Sequence, residues 1–392
     1  MLIKNAYILT MDKENIENGF ILTEGGKIKK VGRMKDCPEC EEAFDAGGLY
    51  VCPGFVDSHS HIGMWEDSLN AEGDDGNEDT DPVTPHLRAI DAVNPMDYAF
   101  REALSNGVTT VVTGPGSANP VSGQFIAMKT YGIRIDDMKI KEPAAMKMAL
   151  GENPKGVYHA KNQSPSTRMG TAALIREALN KAKKYAQQLK KYELNPEEED
   201  EPDYDIKMEA LKEVVEGGLL VKFHAHRADD IFTALRIKNE FGLNATIEHC
   251  TDGYLIAKYL KEENVGVCVG PLLTDRSKPE LANLSFKNVK ALLDEGIRVS
   301  IITDHPIIPQ KHLALCAALA AKEAGISKDL ALLTITRYAA ENAQIGHRVG
   351  SIKEGLDADI LFFDRHPLDF EARLLKVMAG GKFIDFKEGI TK

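Results

Sequence analysis

Apolar, β-branched runs recur through the middle of the chain at 108–113, 146–151, 219–224, 245–249, 265–269 and 298–303. Between them, the stretches 171–192, 229–241, 252–262, 286–295 and 311–324 carry apolar residues at helical spacing. With Tyr50 to His61 as the opening strand, this alternation runs for about 290 residues and predicts an eight-stranded (β/α) barrel. An open doubly wound sheet is the alternative. No G-x-G-x-x-G follows an early strand, which counts against a dinucleotide-binding version of it.

The two ends read differently. Leu2 to Leu9, Gly19 to Thr23 and Lys27 to Val31 are short strand patterns, with Gly25-Gly26 as a turn. Ala358 to Phe363 is another, and Val377 to Ile384 is broken by Gly380-Gly381. Neither end is large enough for a core of its own. The expected fold is therefore α/β: a (β/α)8 TIM-like barrel over 51–345, with 1–50 and 346–392 forming one small β-sandwich domain. Two acidic segments interrupt the pattern. Glu197 to Asp205 reads as a solvated link between helices, and Glu66 to Asp81, directly after the first barrel strand, as a loop that could serve as a lid.

Composition narrows the functions. The 392 residues carry 48 Lys+Arg against 60 Asp+Glu, a net charge of −12. That balance argues against nucleic acid and anionic membrane surfaces as partners. No apolar run approaches the roughly 20 residues of a membrane span, and Met1 to Thr10 lacks a signal-peptide pattern, so a cytoplasmic protein is expected, with a small-molecule substrate and scope for a homo-oligomer. The six cysteines form no disulfide framework, and Cys37-Pro38-Glu39-Cys40 reads as a reduced surface turn rather than half of a zinc site.

Chemistry gathers at strand ends. Strand periodicity puts Asp57, His59 and His61 on one face. The run Leu219 to Phe223 leads into His224-Ala225-His226, Ala245 to Glu248 into His249, Val299 to Thr303 into Asp304-His305, and Met146 to Gly151 into Glu152. A lone His at a strand end is commonly structural. Here nitrogen and oxygen ligands end five separate strands, and a closed barrel brings such ends together, so a divalent metal site is expected.

On these motifs the chain resembles the amidohydrolase superfamily of metal-dependent hydrolases. Pro53-Gly54-Phe55-Val56-Asp57-Ser58-His59-Ser60-His61 is similar to the opening P-G-[FL]-[IV]-D-x-H-x-H of that family. Gly350 to Ile360 resembles the motif with which its chains re-enter their β-sandwich, and the overall look is of the imidazolonepropionase-like branch. The resemblance implies that His59, His61 and Asp304 hold one metal and His224 and His249 a second. In many members a carboxylated Lys or a Glu from the third or fourth strand bridges the two, and Glu152 is the expected bridge here. Single-metal members instead direct the sixth-strand His, here His249, at the substrate. Zn²⁺, one or two per chain, is the expected ion. The implied reaction is cleavage of a C–N bond in an amide, cyclic amide or dipeptide, with Asp304 as proton shuttle and His249 assisting at the carbonyl. A heterocycle deaminase on the same barrel and a non-catalytic scaffold are the rivals. Candidate substrate contacts are His226, Arg168, Asn119 (in the Gly114–Pro120 turn) and Trp65. His305 points the other way along its strand and reads as structural.

Overall fold

The computed structural model describes residues 1–67 and 70–386. Ser68 and Leu69 of the acidic segment, and 387–392 of the C-terminal segment, lie outside the described residues. The chain starts with β1 (Leu2–Ile8), β2 (Ile16–Glu24), β3 (Lys27–Arg33), β4 (Ala43–Asp45) and β5 (Tyr50–Pro53). Gly25 and Gly26, both at positive φ, form the two-residue turn between β2 and β3, the mirror-image turn whose twist suits a hairpin.

The chain then builds a second sheet from β6 (Phe55–Ser60), β7 (Val108–Thr113), β8 (Val121–Lys129), β9 (Lys139–Ala149), β10 (Leu220–Ala225), β11 (Ala245–His249), β12 (Gly266–Val269) and β13 (Val299–Ile301). Each pairs with the next in that order. It returns through β14 (Ile360–Phe363), β15 (Leu374–Ala379) and β16 (Lys382–Phe383) to the first sheet. That sheet runs β16-β15-β14-β5-β1-β2-β3, with β4 beside β1, so the two β-rich ends share one set of ladders.

The fold is mixed α/β, with a nearly closed eight-stranded barrel sheet and an additional sheet. One part of the expected barrel needs correction. β8 runs antiparallel to both β7 and β9, whereas every other pair in the sheet is parallel. The reason is connection length. A parallel crossover needs about a dozen or more residues, and only 114–120 join β7 to β8, with 130–138 joining β8 to β9. Strands β7, β10 and β11 are buried along their whole length, which is why they read as continuous apolar runs rather than alternating ones.

The ladder path ends at β6 and β13, and side chains cross that seam. The buried Asp57 carboxylate accepts from Thr303 N at 3.1 Å, Thr303 Oγ1 at 2.6 Å and Gln310 Nε2 at 2.6 Å. Burial pushes its carboxyl up to about 6 despite these donors. The long helix Arg168–Leu194 is capped by Thr167, whose Oγ1 accepts from Gly170 N at 3.0 Å. Glu197 to Asp205 is a largely exposed link to the helix Ile206–Val215, which Asp205 caps. Among the described residues no helix is long and apolar enough to cross a membrane.

Candidate metal centre

The strand ends deliver their ligands to one place. His59 comes from β6, with His61 just beyond it; His224 comes from β10, with His226 just beyond; His249 ends β11; Asp304 follows β13. His249 and Asp304 have φ of 70° and 54°. For residues with a Cβ that left-handed conformation costs about 1–2 kcal/mol. The strain sits where two strands stop and their last side chains turn into the barrel mouth.

Two groups of three result. One ligand atom from each of His59, His61 and Asp304 lies within 4.8 Å of the others, and the same holds for His224, His226 and His249. Asp304 Oδ1 is 3.3 Å from His61 Nε2 and 3.5 Å from His59 Nε2. The groups adjoin: the His59 and His249 rings are 5.3 Å apart, and His224 and His249 4.4 Å.

Hydrogen bonds behind the rings fix which nitrogen faces inward. His61 Nδ1 donates to Gly114 O at 2.6 Å and His249 Nδ1 to Gly270 O at 2.8 Å. A carbonyl only accepts, so each Nδ1 carries the proton and Nε2 keeps a lone pair. His224 Nδ1 meets Ser117 Oγ at 2.9 Å, and His226 Nδ1 meets Thr251 Oγ1 at 2.8 Å. Burial, aided by neighbouring cations and imidazoles, holds His59, His224 and His226 well below the usual imidazole range, so these rings are neutral. Burial alone would raise the Asp304 carboxyl, but His249 and His61 outweigh it and hold it well below the usual carboxylate range. His224 Nε2, His249 Nε2 and Asp304 Oδ1 are buried without a hydrogen-bond partner. Inward lone pairs on neutral imidazoles beside an ionised carboxylate are a donor set that fits a divalent cation, and a cation would satisfy these atoms.

The expected bridge is not with them. Glu152 opens the helix Glu152–Ala160 after Gly151, whose φ of 87° turns the chain off its strand, and its carboxylate belongs to neither group. Lys147 adjoins the first group instead, and its charge also bears on His224 and His249. It is fully buried on β9, with Nζ 3.2 Å from His59 Nε2. Burial brings its ammonium down to about 8, against the opposing pull of Asp304 and Glu248. A second buried lysine, Lys222 on β10, is 3.0 Å from Glu248 Oε2. Burial works against its charge, but Cys268 and Glu248 outweigh that and hold its ammonium above the ordinary value.

The groups open into a cavity of about 370 Å³. Trp65 lines it, with its ring 5.2 Å from that of His61 and against Gly76 and Gly116, where a Cβ would collide with it. His226 lines it too, stacked on His249 at 4.6 Å. Two expected substrate contacts are committed elsewhere. Arg168 Nε is held by Asp230 at 3.0 Å. Asn119 donates to Glu78 O and Thr84 Oγ1 and accepts from Tyr158 OH at 2.6 Å, so it ties loops together. Lys278 lines the cavity where Arg168 does not; its Nζ is 2.6 Å from Glu280 Oε1 and 2.9 Å from Asn153 Oδ1. The acidic segment is fastened by main-chain bonds, Asp75 N to Met64 O at 2.9 Å and Gly116 N to Gly76 O at 2.8 Å. His305 Nδ1 accepts from Gln310 N at 3.1 Å.

The model of the Amidohydrolase family matches residues 50–384. The chain belongs to the amidohydrolase family. It is 30% identical to the amidohydrolase tasK of Hapsidospora irregularis over 93% of this chain, which spans 39% of that longer protein. An adenine deaminase of Listeria monocytogenes is 28% identical over 42% of this chain and 24% of its own length. The crystal structure of an amidohydrolase from Thermotoga maritima superposes with a TM-score of 0.92 at 42% identity, covering 98% of this chain and 99% of that one. Hydrolases and deaminases acting on C–N bonds thus both stand among the relatives of this amidohydrolase.

Three side chains of this amidohydrolase's interior escape the sequence reading: Lys147, Lys222 and Glu248. Their signal is a charged residue inside a buried and otherwise largely apolar strand. Lys278 and Glu280 carry no such mark, because they sit in a loop far in sequence from every ligand.

Proposed function

We propose that this amidohydrolase is a two-metal hydrolase of a C–N bond in a small molecule. The observation that carries the reading is the pair of ligand groups at one cavity, with Lys147 against His59 of the first. His59, His61 and Asp304 would hold one divalent ion, and His224 and His249 the other, zinc being the first choice for imidazole-rich donors. Lys147 takes the bridging place expected of Glu152. Its free amine adds to carbon dioxide, forming an N–C bond and releasing one proton, and the carbamate so formed is an anionic oxygen donor. The metal, when bound, supplies Lewis acidity that makes water nucleophilic near neutral pH and polarises a carbonyl.

The chain's own groups do the rest. Asp304 Oδ1, kept ionised, accepts a proton from the attacking water and passes it to the leaving nitrogen. His226, the third member of the second group, lines the cavity and contacts the substrate. Trp65 walls off one side, and Lys278, which lines the cavity beside Glu280, offers a cation to a substrate carboxylate. The cavity volume suits a small molecule. The intact ligand set speaks against a scaffold.

The test is a turnover screen of metal-loaded and chelator-treated protein against amides, lactams, dipeptides and purine or pyrimidine bases. Metal-dependent cleavage of an amide supports the reading. Ammonia release from the bases alone would favour a deaminase, and no turnover in a chain that retains no metal would favour the scaffold.

A further inference from the structure

Beneath the ligand groups lies a buried charge pair that the proposed mechanism does not use. Glu248 on β11 and Lys222 on β10 are both fully buried inside the barrel. Glu248 Oε2 is 3.0 Å from Lys222 Nζ and 3.0 Å from His59 Nδ1, at ion-pair distance, though neither contact has hydrogen-bond geometry. Its other oxygen accepts from Thr246 Oγ1. Two opposite charges taken out of water need a reason, since apolar residues of similar size pack as well or better.

We infer that Glu248 and Lys222 are positioning residues for His59. Glu248 fixes the proton on Nδ1, so that Nε2 keeps its lone pair toward the ligand group, and it strengthens the imidazole as a donor. His61 and His249 rest on main-chain carbonyls, so His59 is the ligand given a full carboxylate. Lys222 Nζ stands 3.0 Å from the same carboxylate oxygen and so opposes its charge. The two lysines thus divide: Lys222 stands behind Glu248 on the Nδ1 side of His59, while Lys147 lies at Nε2. This inference rests on His59 being a metal ligand.

The test uses the full chain, stripped and reloaded with Co²⁺, and reads affinity by chelator competition, the visible Co²⁺ spectrum, and the Tm of the metal-free protein. Glu248→Gln keeps the shape and an acceptor but loses the charge; it is expected to weaken one of the Co²⁺ sites about 10- to 100-fold and to change the spectrum. Lys222→Met is expected to lower Tm, because it strands a buried carboxylate. The double variant Lys222→Met/Glu248→Gln is expected to recover Tm without recovering affinity, a pattern that a purely structural pair does not give. Parental affinity and spectrum in Glu248→Gln, or in the double variant should the single one fail to fold, would overturn the inference while leaving the hydrolase reading standing. A parental chain that binds no Co²⁺ would overturn both.

Discussion

Lys147 Nζ stands 3.2 Å from His59 Nε2, at the nitrogen a metal would take from that ring. An ammonium there repels a cation, and a carbamate would hold one. Lys147→Ala is therefore expected to lower kcat by about 100-fold or more, beyond the usual cost of losing a supporting partner. Added acetate or propionate should restore part of the activity by placing a carboxylate in the vacated space. Rates read with and without the acid check this, and absence of rescue in a folded variant that retains metal would count against the bridge.

Asp304 follows an apolar strand and belongs to the ligand group of His59 and His61. If it shuttles the proton, Asp304→Asn loses about 10²–10⁴ in kcat, the usual worth of a positioned acid–base group. Metal content measured on the same sample separates this from loss of the ion. Activity within a fewfold of the parent would send the proton elsewhere, with His226 and His249 next in line.

Lys278 tests the substrate class. Removing a charge-assisted hydrogen bond costs about 1.5–3 kcal/mol, so Lys278→Met should raise KM by about tenfold or more for a substrate bearing a carboxylate, with kcat little changed. Uncharged analogues should show no such shift. Steady-state kinetics on matched charged and neutral substrates decide it.

The two sheets are joined by a charge cluster whose pH response follows from its geometry. Asp357, ahead of β14, is held by Arg348 at 2.9 Å, by Lys27, and by Lys129 of β8 at 2.9 Å. Burial would raise its carboxyl, but Arg348 and Lys129 outweigh that and pull it far below the usual range. A depressed folded-state pKa gives stability that is fully present above the unfolded value of about 3.9 and is lost progressively as pH falls from there through the much lower folded-state value. Denaturant midpoints of Asp357→Asn should therefore lie below the parent's at pH 7, with the gap starting to narrow only below about pH 4 and still largely present at pH 3. Equal midpoints at pH 7 would remove this cluster from the account of how the proposed composite β unit is tied to the barrel.

Much of this was legible in the sequence because strand periodicity and burial act locally. His59, His61, His224, His249 and Asp304 are marked by standing where apolar runs stop, and that is where the fold gathers them. The β-rich ends likewise meet in one sheet. What was not legible depends on the path between elements. β8 follows a Pro/Gly turn and contains Gly123 at a φ of 137°, so its pattern is weak, and its reversed direction follows from a loop too short to cross over. Glu152 drew attention as a carboxylate at a strand end, yet it opens the following helix and belongs to neither ligand group. Lys147 lies two positions inside that strand, where a charged group is read as an exception to the pattern instead of as its purpose.

The central claim is that turnover depends on metal held by these ligands. Protein stripped by chelation and titrated with Zn²⁺ is predicted to regain activity in step with bound ion, saturating at two ions per chain. Full turnover after stripping, with metal analysis showing only a small fraction of an ion per chain, would contradict it.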